Sequence, residues 1–213
     1  MTKAKLVIMR HGETHHNIQG LMTGQADVPL TELGENQARE AGALIAHIRF
    51  DKAYSSDLQR AFNTAALALK SAGQSSQIEK CHGIAELDVG DFTGLNYRND
   101  PKVLNFKREF DTVFPNGESQ KQLLERVQKF FDSEVMPRLL KGENVLVVAH
   151  AGVLRAFDVV LGVDELPKEG MMAKKKSLPN ATPTVYEYED GVMAGFALLE
   201  NPKTPVPPVM WKR

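Results

Sequence analysis

The chain alternates short, continuous apolar runs with longer segments in which apolar residues recur at helical spacing. The runs KLVIMR (5–10) and NVLVVAH (144–150) are rich in Val, Ile and Leu. Such runs are typical of strands that are buried on both faces of a parallel sheet. The pattern therefore predicts one buried strand near the start of the chain and another after about two thirds of it.

Three segments have the spacing of amphipathic helices. One begins after Thr31, a residue type that caps helix N-termini, and a second begins at Ser56 in the same way. A third begins near Glu118, and we expect Pro137 to kink or end it. Strands that alternate with helices predict an α/β fold, here a three-layer α/β/α sandwich with a mostly parallel central sheet.

The C-terminal part has a different pattern. Polar and apolar residues alternate in TVYEYEDGVMAGFAL (184–198) around an Asp-Gly pair, which predicts a β-hairpin. Prolines then recur in 201–213, and we expect an extended tail there. We therefore expect a single domain over 1–200, followed by a proline-rich tail over 201–213.

Composition narrows the classes of function. The 213 residues are 42% hydrophobic and 25% charged, with a net charge of −1, which gives no global reason to expect nucleic acid or an anionic membrane as partner. No apolar run approaches the roughly 20 residues of a membrane span, and the N-terminus lacks a signal-type cleavage site, so we expect a cytoplasmic protein. Cys81 is the only cysteine, which excludes a disulfide framework within one chain.

Two histidines follow the two predicted buried strands. LVIMRHGET and VLVVAHAGV each run from a strand to a histidine and then to a glycine. Ligands bind at the carboxyl edge of open α/β sheets, so His11 and His150 meet at that edge if their strands are neighbours.

The residue types near these histidines suit phosphoryl transfer. Arg10 and Arg60 can supply permanent charge and forked donors to a phosphate dianion. A neutral imidazole at His11 can attack phosphorus, while a protonated imidazole at His150 can stabilise charge on the equatorial oxygens. We assign Glu86 to protonate the leaving oxygen.

Other phosphate chemistries fit the sequence less well. There is no GxxxxGK[ST] loop and no GxGxxG, so nucleotide-dependent transfer is disfavoured. His15 and His16 lie near His11, but there is no HExxH and no acidic cluster beside them, so we expect no metal. Lys174, Lys175 and Lys176 are interpreted as a solvated basic run.

The sequence RHGETHHN (10–17) resembles the signature of the phosphoglycerate mutase-like histidine phosphatases. Further blocks resemble that family in its order, namely MTGQADVPLTELGENQA (22–38), YSSDLQRAFNTA (54–65), AELDVGDFTGLN (85–96), FPNGES (114–119) and VVAHAGVLRAF (147–157). The resemblance implies that His11 is phosphorylated, that Arg10, Arg60 and His150 clamp the phosphoryl group, and that Glu86 is the proton donor. It also implies that Asn17, Thr23 and Gly24 line the pocket.

The family contains both mutases and phosphatases, and this chain departs from the mutases at several positions. Lys107 and Arg108 stand where the compact bacterial mutases have two arginines that bind substrate. The resemblance predicts arginine, tyrosine, lysine and asparagine in a mutase where this chain has Leu87, Val89, Tyr97 and Gly152. Gly152 gives the HAG sequence a likeness to the phosphatase and bisphosphatase branches.

We therefore expect hydrolysis of a small phosphomonoester without a cofactor. The alternative is a phosphoglycerate mutase primed by 2,3-bisphosphoglycerate. A non-catalytic phospho-ligand binder is disfavoured, because an inert protein has no chemical need for all five of the proposed catalytic residues. The expected partner is a small phosphorylated metabolite, and the sequence leaves the oligomeric state open, a homodimer included.

Overall fold

A computed structural model describes residues 1–166, 170–173 and 178–199. The predicted tail at 201–213 and the basic run at 174–176 lie outside the described residues. Within them, the strands are β1 (Lys3–Arg10), β2 (Lys52–Ser55), β3 (Ile78–Lys80), β4 (Val145–Ala149), β5 (Thr184–Glu189) and β6 (Val192–Leu198). The α-helices are α1 (His15–Gln19), α2 (Glu32–Leu44), α3 (Gln59–Ser71), α4 (Pro101–Asn105), α5 (Gln120–Phe130), α6 (Met136–Leu139) and α7 (Ala151–Val160).

The strands form one mixed sheet in the order β3-β2-β4-β1-β5-β6. The pairs β3–β2, β2–β4 and β4–β1 are parallel, while β5 is antiparallel to β1 and forms the predicted hairpin with β6. The mostly parallel α/β fold predicted from the sequence is confirmed, and the two predicted buried strands are direct neighbours.

Hydrophobic side chains pack on both faces of the sheet. All five residues of β4 are fully buried, which explains why its sequence is apolar without alternation. Leu146 and Val148 pack with α2 and α3, whereas Val145 and Val147 face the side that carries α5 and α7. The sheet is thus the middle of three layers.

Two local predictions need correction. Ser56 does not cap α3; the helix begins at Gln59, and the Ser56 hydroxyl oxygen instead accepts the N–H of Leu58 at 3.2 Å. Of the two outcomes predicted for Pro137, a kink or an end of the third helix, the end does not occur at this residue: α5 continues through a π-helical turn (Phe131–Val135) into α6. Pro137 lies in the first turn of α6, where a missing N–H is tolerated.

The described part of the chain contains no helix with the length and apolar character that crossing a membrane requires.

Candidate active site

His11 and His150 lie side by side at the carboxyl edge of the sheet. β1 and β4 pair in parallel with Arg10 opposite Ala149, so the residue after each strand reaches the same place. The His11 N–H donates to the Ala149 carbonyl at 2.9 Å, and the two imidazole rings are 5.2 Å apart at 57°. The predicted meeting of the two histidines is confirmed.

The backbone sets the tautomer of His11. Its Nδ1 lies 2.7 Å from the carbonyl oxygen of Gly12. Because a carbonyl only accepts, Nδ1 must carry the hydrogen, which leaves the lone pair on Nε2. The Gly12 N–H in turn donates to the Thr64 hydroxyl at 2.9 Å, and a Cβ on Gly12 would lie 2.2 Å from the Gly34 carbonyl oxygen. The nucleophile therefore sits in a tightly packed turn.

Two arginines are fixed beside the histidines by main-chain carbonyls. Arg60, fully buried in the first turn of α3, donates to the carbonyls of Ala26 at 2.7 Å and Gly24 at 2.8 Å. Arg10 donates to the Leu178 carbonyl at 2.9 Å. These bonds hold each guanidinium in one orientation without neutralising its charge.

Several buried polar atoms at this place lack a hydrogen-bond partner among the described residues. They are the Nε atoms of Arg10 and Arg60 and both ring nitrogens of His150. A buried donor without a partner costs on the order of 1–3 kcal/mol. Arg10 and Arg60 line one cavity together with His11, and the ring of His150 lies against that of His11, so a phosphoryl group bound there would supply acceptors for these donors.

Burial and the neighbouring arginines set the protonation of both histidines. Burial first, and then Arg10 and Arg60, holds the pKa of His11 well below 6.5. Burial and then Arg60 do the same to the pKa of His150. Burial lowers the pKa of Arg60 to about 10, so this arginine is still charged at neutral pH. His11 is thus neutral, as nucleophilic attack requires. The protonation predicted for His150 requires the negative charge of a phosphoryl group beside it.

Glu86 faces the same site from the loop before α4. Its Oε1 accepts the N–H of Leu87 at 2.9 Å and that of Gly152 at 3.1 Å. Its carbonyl oxygen accepts from Gln25 Nε2 at 3.1 Å and from an Arg126 Nη at 3.0 Å. The carboxylate is therefore held by main-chain donors, and its backbone is held by two side chains from elsewhere in the fold.

A cavity of about 370 Å³, a size that suits a small metabolite, is lined by His11 but not by the fully buried His150. Of the residues predicted from the sequence, its walls contain Arg10, His11, Asn17, Thr23, Gly24, Arg60 and Glu86. Its remaining walls are formed by Glu13, Ile18, Leu21, Tyr97 and Asn180.

Three predicted substrate-binding residues lie elsewhere. Lys107 and Arg108 are not among the described residues that line the cavity. Gly152 lies behind Glu86, and a Cβ there would be 2.4 Å from Glu86 Oε1. Its N–H thus positions the carboxylate, which is a different role from contact with substrate.

The residues that sequence reasoning missed come mainly from segments distant from the motifs. Asn180 lies in the turn directly before β5, and only the pairing of β5 with β1 brings that turn to the site. Arg126 lies beside the buried face of α5, where its side chain is mostly buried, and no motif in the sequence marks it. A prediction from the sequence that β5 pairs with β1 would have brought Asn180 to the site.

The described residues contain no group of three or more His, Cys, Asp or Glu side chains with the geometry of a metal site.

The chain resembles known proteins along most of its length. A model of the histidine phosphatase superfamily (branch 1) matches residues 6–194. A 2,3-bisphosphoglycerate-dependent phosphoglycerate mutase of Parvibaculum lavamentivorans is 38% identical over 92% of this chain and 97% of its own. The enzyme of that name from Rhizobium etli is 38% identical over 91% of this chain and 95% of its own.

Solved structures give a more varied set of activities. A phosphoglycerate mutase from Bacillus anthracis is 27% identical, with a TM-score of 0.74 and 91% of each chain covered. A mycobacterial glucosyl-3-phosphoglycerate phosphatase complexed with VO3 is also 27% identical, with a TM-score of 0.71 over 91% of this chain and 96% of its own. Similar folds thus occur in proteins that are named as a mutase and as a phosphatase.

Proposed function

The chain belongs to branch 1 of the histidine phosphatase superfamily, and we propose that it carries the phosphoryl group of a small phosphorylated metabolite as a phosphohistidine at His11. One observation carries this proposal: His11 lines a cavity together with Arg10 and Arg60, and the His150 ring lies 5.2 Å from the His11 ring. The lone pair on His11 Nε2 and the unpaired donors around it are what attack on a phosphate dianion needs.

The chemistry proceeds in two balanced steps. His11 Nε2 attacks phosphorus, the P–O ester bond breaks, and the leaving oxygen takes a proton from Glu86. In the second step Glu86 removes a proton from the acceptor hydroxyl or water, whose oxygen attacks phosphorus while the P–N bond to His11 Nε2 breaks, which restores neutral His11. Arg10, Arg60 and His150 stabilise the negative charge of the transferred group throughout.

For the acceptor, we propose a phosphoglycerate, which makes the protein a phosphoglycerate mutase primed by 2,3-bisphosphoglycerate. The curated relatives at 38% identity carry that name over almost their full length. They support the mutase better than the hydrolysis that the sequence departures favoured. Lys107 and Arg108 are the cations proposed to reach the far end of the substrate when it is bound.

Hydrolysis is the second candidate, and the residues that line the cavity away from His11 favour it. Leu87 and Val89 are buried in the core, so neither reaches the ligand with a polar group. Ile18, Leu21 and Tyr97 line the cavity, and none of them offers a positive charge to a distal anion. A substrate with an uncharged leaving group fits such a wall, and water then takes the phosphoryl group.

One assay separates these outcomes. The protein is incubated with 3-phosphoglycerate, with and without 2,3-bisphosphoglycerate, while isomer formation and free phosphate are followed together. Fast, primer-dependent interconversion with little phosphate release supports the mutase. Release of phosphate faster than interconversion, without a primer requirement, supports the phosphatase and contradicts the mutase.

The Lys107→Ala and Arg108→Ala variants test whether these two side chains bind the distal anionic group of the substrate. In a mutase both changes reduce interconversion while hydrolysis of a simple aryl phosphate stays largely unchanged, since that substrate has no distal anion. Equal loss on both substrates would show that these residues act on the fold and not on the distal group.

A further inference from the structure

The turn Leu178–Ala181 lies across the end of the strand that carries the nucleophile. The Ala181 N–H donates to the Arg10 carbonyl at 3.0 Å, and the Leu178 carbonyl accepts from the Arg10 guanidinium. Ala181 has a φ of 47°, a conformation that alanine seldom adopts and that the surrounding contacts must hold in place. The turn Leu178–Ala181 is therefore bonded to β1 on both sides of Asn180.

The orientation of the Asn17 amide is determined by its neighbours. The main-chain N–H of Thr14 lies 3.1 Å from one end of that amide. Because an N–H can only donate, this end must be the oxygen, Oδ1. The second contact of the same oxygen is Asn180, whose Nδ2 donates to it at 3.3 Å.

Asn180 has its own orientation fixed in the same way. Its Nδ2 donates to the main-chain carbonyl of His11 at 2.9 Å as well as to Asn17 Oδ1. An amide nitrogen carries two hydrogens, so both are used and the side chain of Asn180 has no donor left for a ligand. Its contribution to anion binding must therefore pass through another residue.

We infer that Asn180 is a positioning residue, which turns the amide of Asn17 so that its NH2 group faces the phosphoryl group. Two donors occupy the two lone-pair directions of Asn17 Oδ1, which leaves Asn17 Nδ2 as the end directed to the cavity. A phosphoryl oxygen accepts from an amide NH2 but is repelled by an amide oxygen. Without Asn180, the amide loses one of the two bonds that select the productive orientation.

The inference rests on the proposed phosphoryl transfer at His11, and a double-mutant cycle tests it. Asn180→Ala, Asn17→Ala and the double variant are compared with the unmodified protein. Vanadate affinity and kcat/KM for a simple aryl phosphate are measured for each. We expect Asn180→Ala to weaken both quantities about tenfold, the size expected for one charge-assisted hydrogen bond. In the Asn17→Ala background the same change should cost less than about twofold, because the amide that it orients is gone.

Two further variants separate this role from a general loosening of the turn. Thr182→Val removes the hydroxyl that donates to the Asn180 carbonyl at 3.2 Å, while the side chain of Thr182 lies outside the cavity. We expect less than a twofold effect from it. Asn180→Ser keeps one donor in a small side chain. We expect its vanadate affinity and kcat/KM to lie between those of the unmodified protein and those of Asn180→Ala.

The possible results distinguish failure of the inference about Asn180 from failure of the proposed function. An equal loss from Asn180→Ala in both backgrounds, or no loss in either, would overturn the inference. A protein that binds vanadate but forms no phosphohistidine would instead refute the proposed function, and the cycle in vanadate affinity would still test Asn180.

Discussion

One hydrogen bond to the main chain prepares the imidazole of His11 for attack. Gly12 holds its Nδ1, so the reactive nitrogen is the one that faces the cavity. We expect His11→Ala to abolish both turnover and acid-labile phosphorylation of the protein, because no other described side chain at the site can replace this nucleophile. Phosphorus NMR of the trapped intermediate and a phosphate-release assay measure the two quantities.

The matched control is His15→Ala, which removes an exposed imidazole of the same motif. It should keep near-normal turnover. Residual phosphorylation of His11→Ala at the normal level would show that a different residue carries the phosphoryl group.

Arg10, Arg60 and Glu86 line the cavity, as the sequence predicted, while their chemical roles stay predictions. Arg10, Arg60 and Glu86 could be assigned because a phosphate dianion and a leaving oxygen need permanent cations and an acid. Asn180 and Thr64 could not, because both act on the backbone around His11, and amides and hydroxyls of that kind occur throughout any chain. Their roles follow only from which segments the fold brings together.

The N-terminus of α7 determines where the carboxylate of Glu86 lies. Gly152 donates its N–H to Glu86, and a Cβ at that position would lie 2.4 Å from Oε1, 3.0 Å from Met172 Cε and 3.2 Å from Leu123 Cδ2. We expect Gly152→Ala to displace the carboxylate and lower kcat on the order of tenfold for alkyl phosphates, whose leaving oxygen needs a proton. Aryl phosphates with acidic leaving groups should be affected much less.

The control is Gly195→Ala on β6, where an added Cβ has no atom within 4 Å. It should leave kcat unchanged for both substrates. If Gly152→Ala slowed alkyl and aryl phosphates equally, the position of Glu86 would not be what the change disturbs.

Secondary structure was predictable where a pattern is local, and less so where it depends on distant contacts. The apolar runs of β1 and β4 and the Asp-Gly hairpin were clear in the sequence. Pro137 was predicted to kink or end the third helix, and it does not end it, because a π-helical turn before this proline lets the helix continue. The order of the strands has no local signal, since β1 pairs with segments about two thirds of the chain away and beyond.

The buried histidines couple the stability of the whole molecule to pH. Both have a pKa lowered in the folded protein, whereas an unfolded histidine titrates near 6.5. As the pH falls below about 6.5, the unfolded chain takes up protons that the folded protein does not. The contribution of the two neutral histidines to the free energy of unfolding is therefore fully present above that pH. Below it, this contribution falls by up to about 1.4 kcal/mol per pH unit for each histidine.

We expect the free energy of unfolding in urea to fall between pH 7.5 and 5.5, and to fall less in His150→Asn by about 1 kcal/mol. The same substitution at the exposed His47 is the control and should leave the pH dependence as it was. Identical pH dependence in His150→Asn and the unmodified protein would contradict the lowered pKa of this histidine.

The positive charge of the proposed site comes from side chains that several parts of the molecule contribute. We therefore expect activity to survive exhaustive chelation and to be inhibited by vanadate, whose five-coordinate form mimics the transferred group. The assay compares rates before and after dialysis against a chelator. Loss of activity that a divalent ion restores would revive a metal role for His15 and His16.

The central position of β1 has a consequence for how the protein is made. β1 leaves the ribosome long before both of its neighbours in the sheet, because β4 and β5 lie far along the chain. At roughly 5–20 residues per second, this apolar strand waits on the order of 10–30 s for its partners. The nascent chain thus exposes KLVIMR throughout that interval, and chaperones that bind short apolar segments should associate with it until β4 emerges.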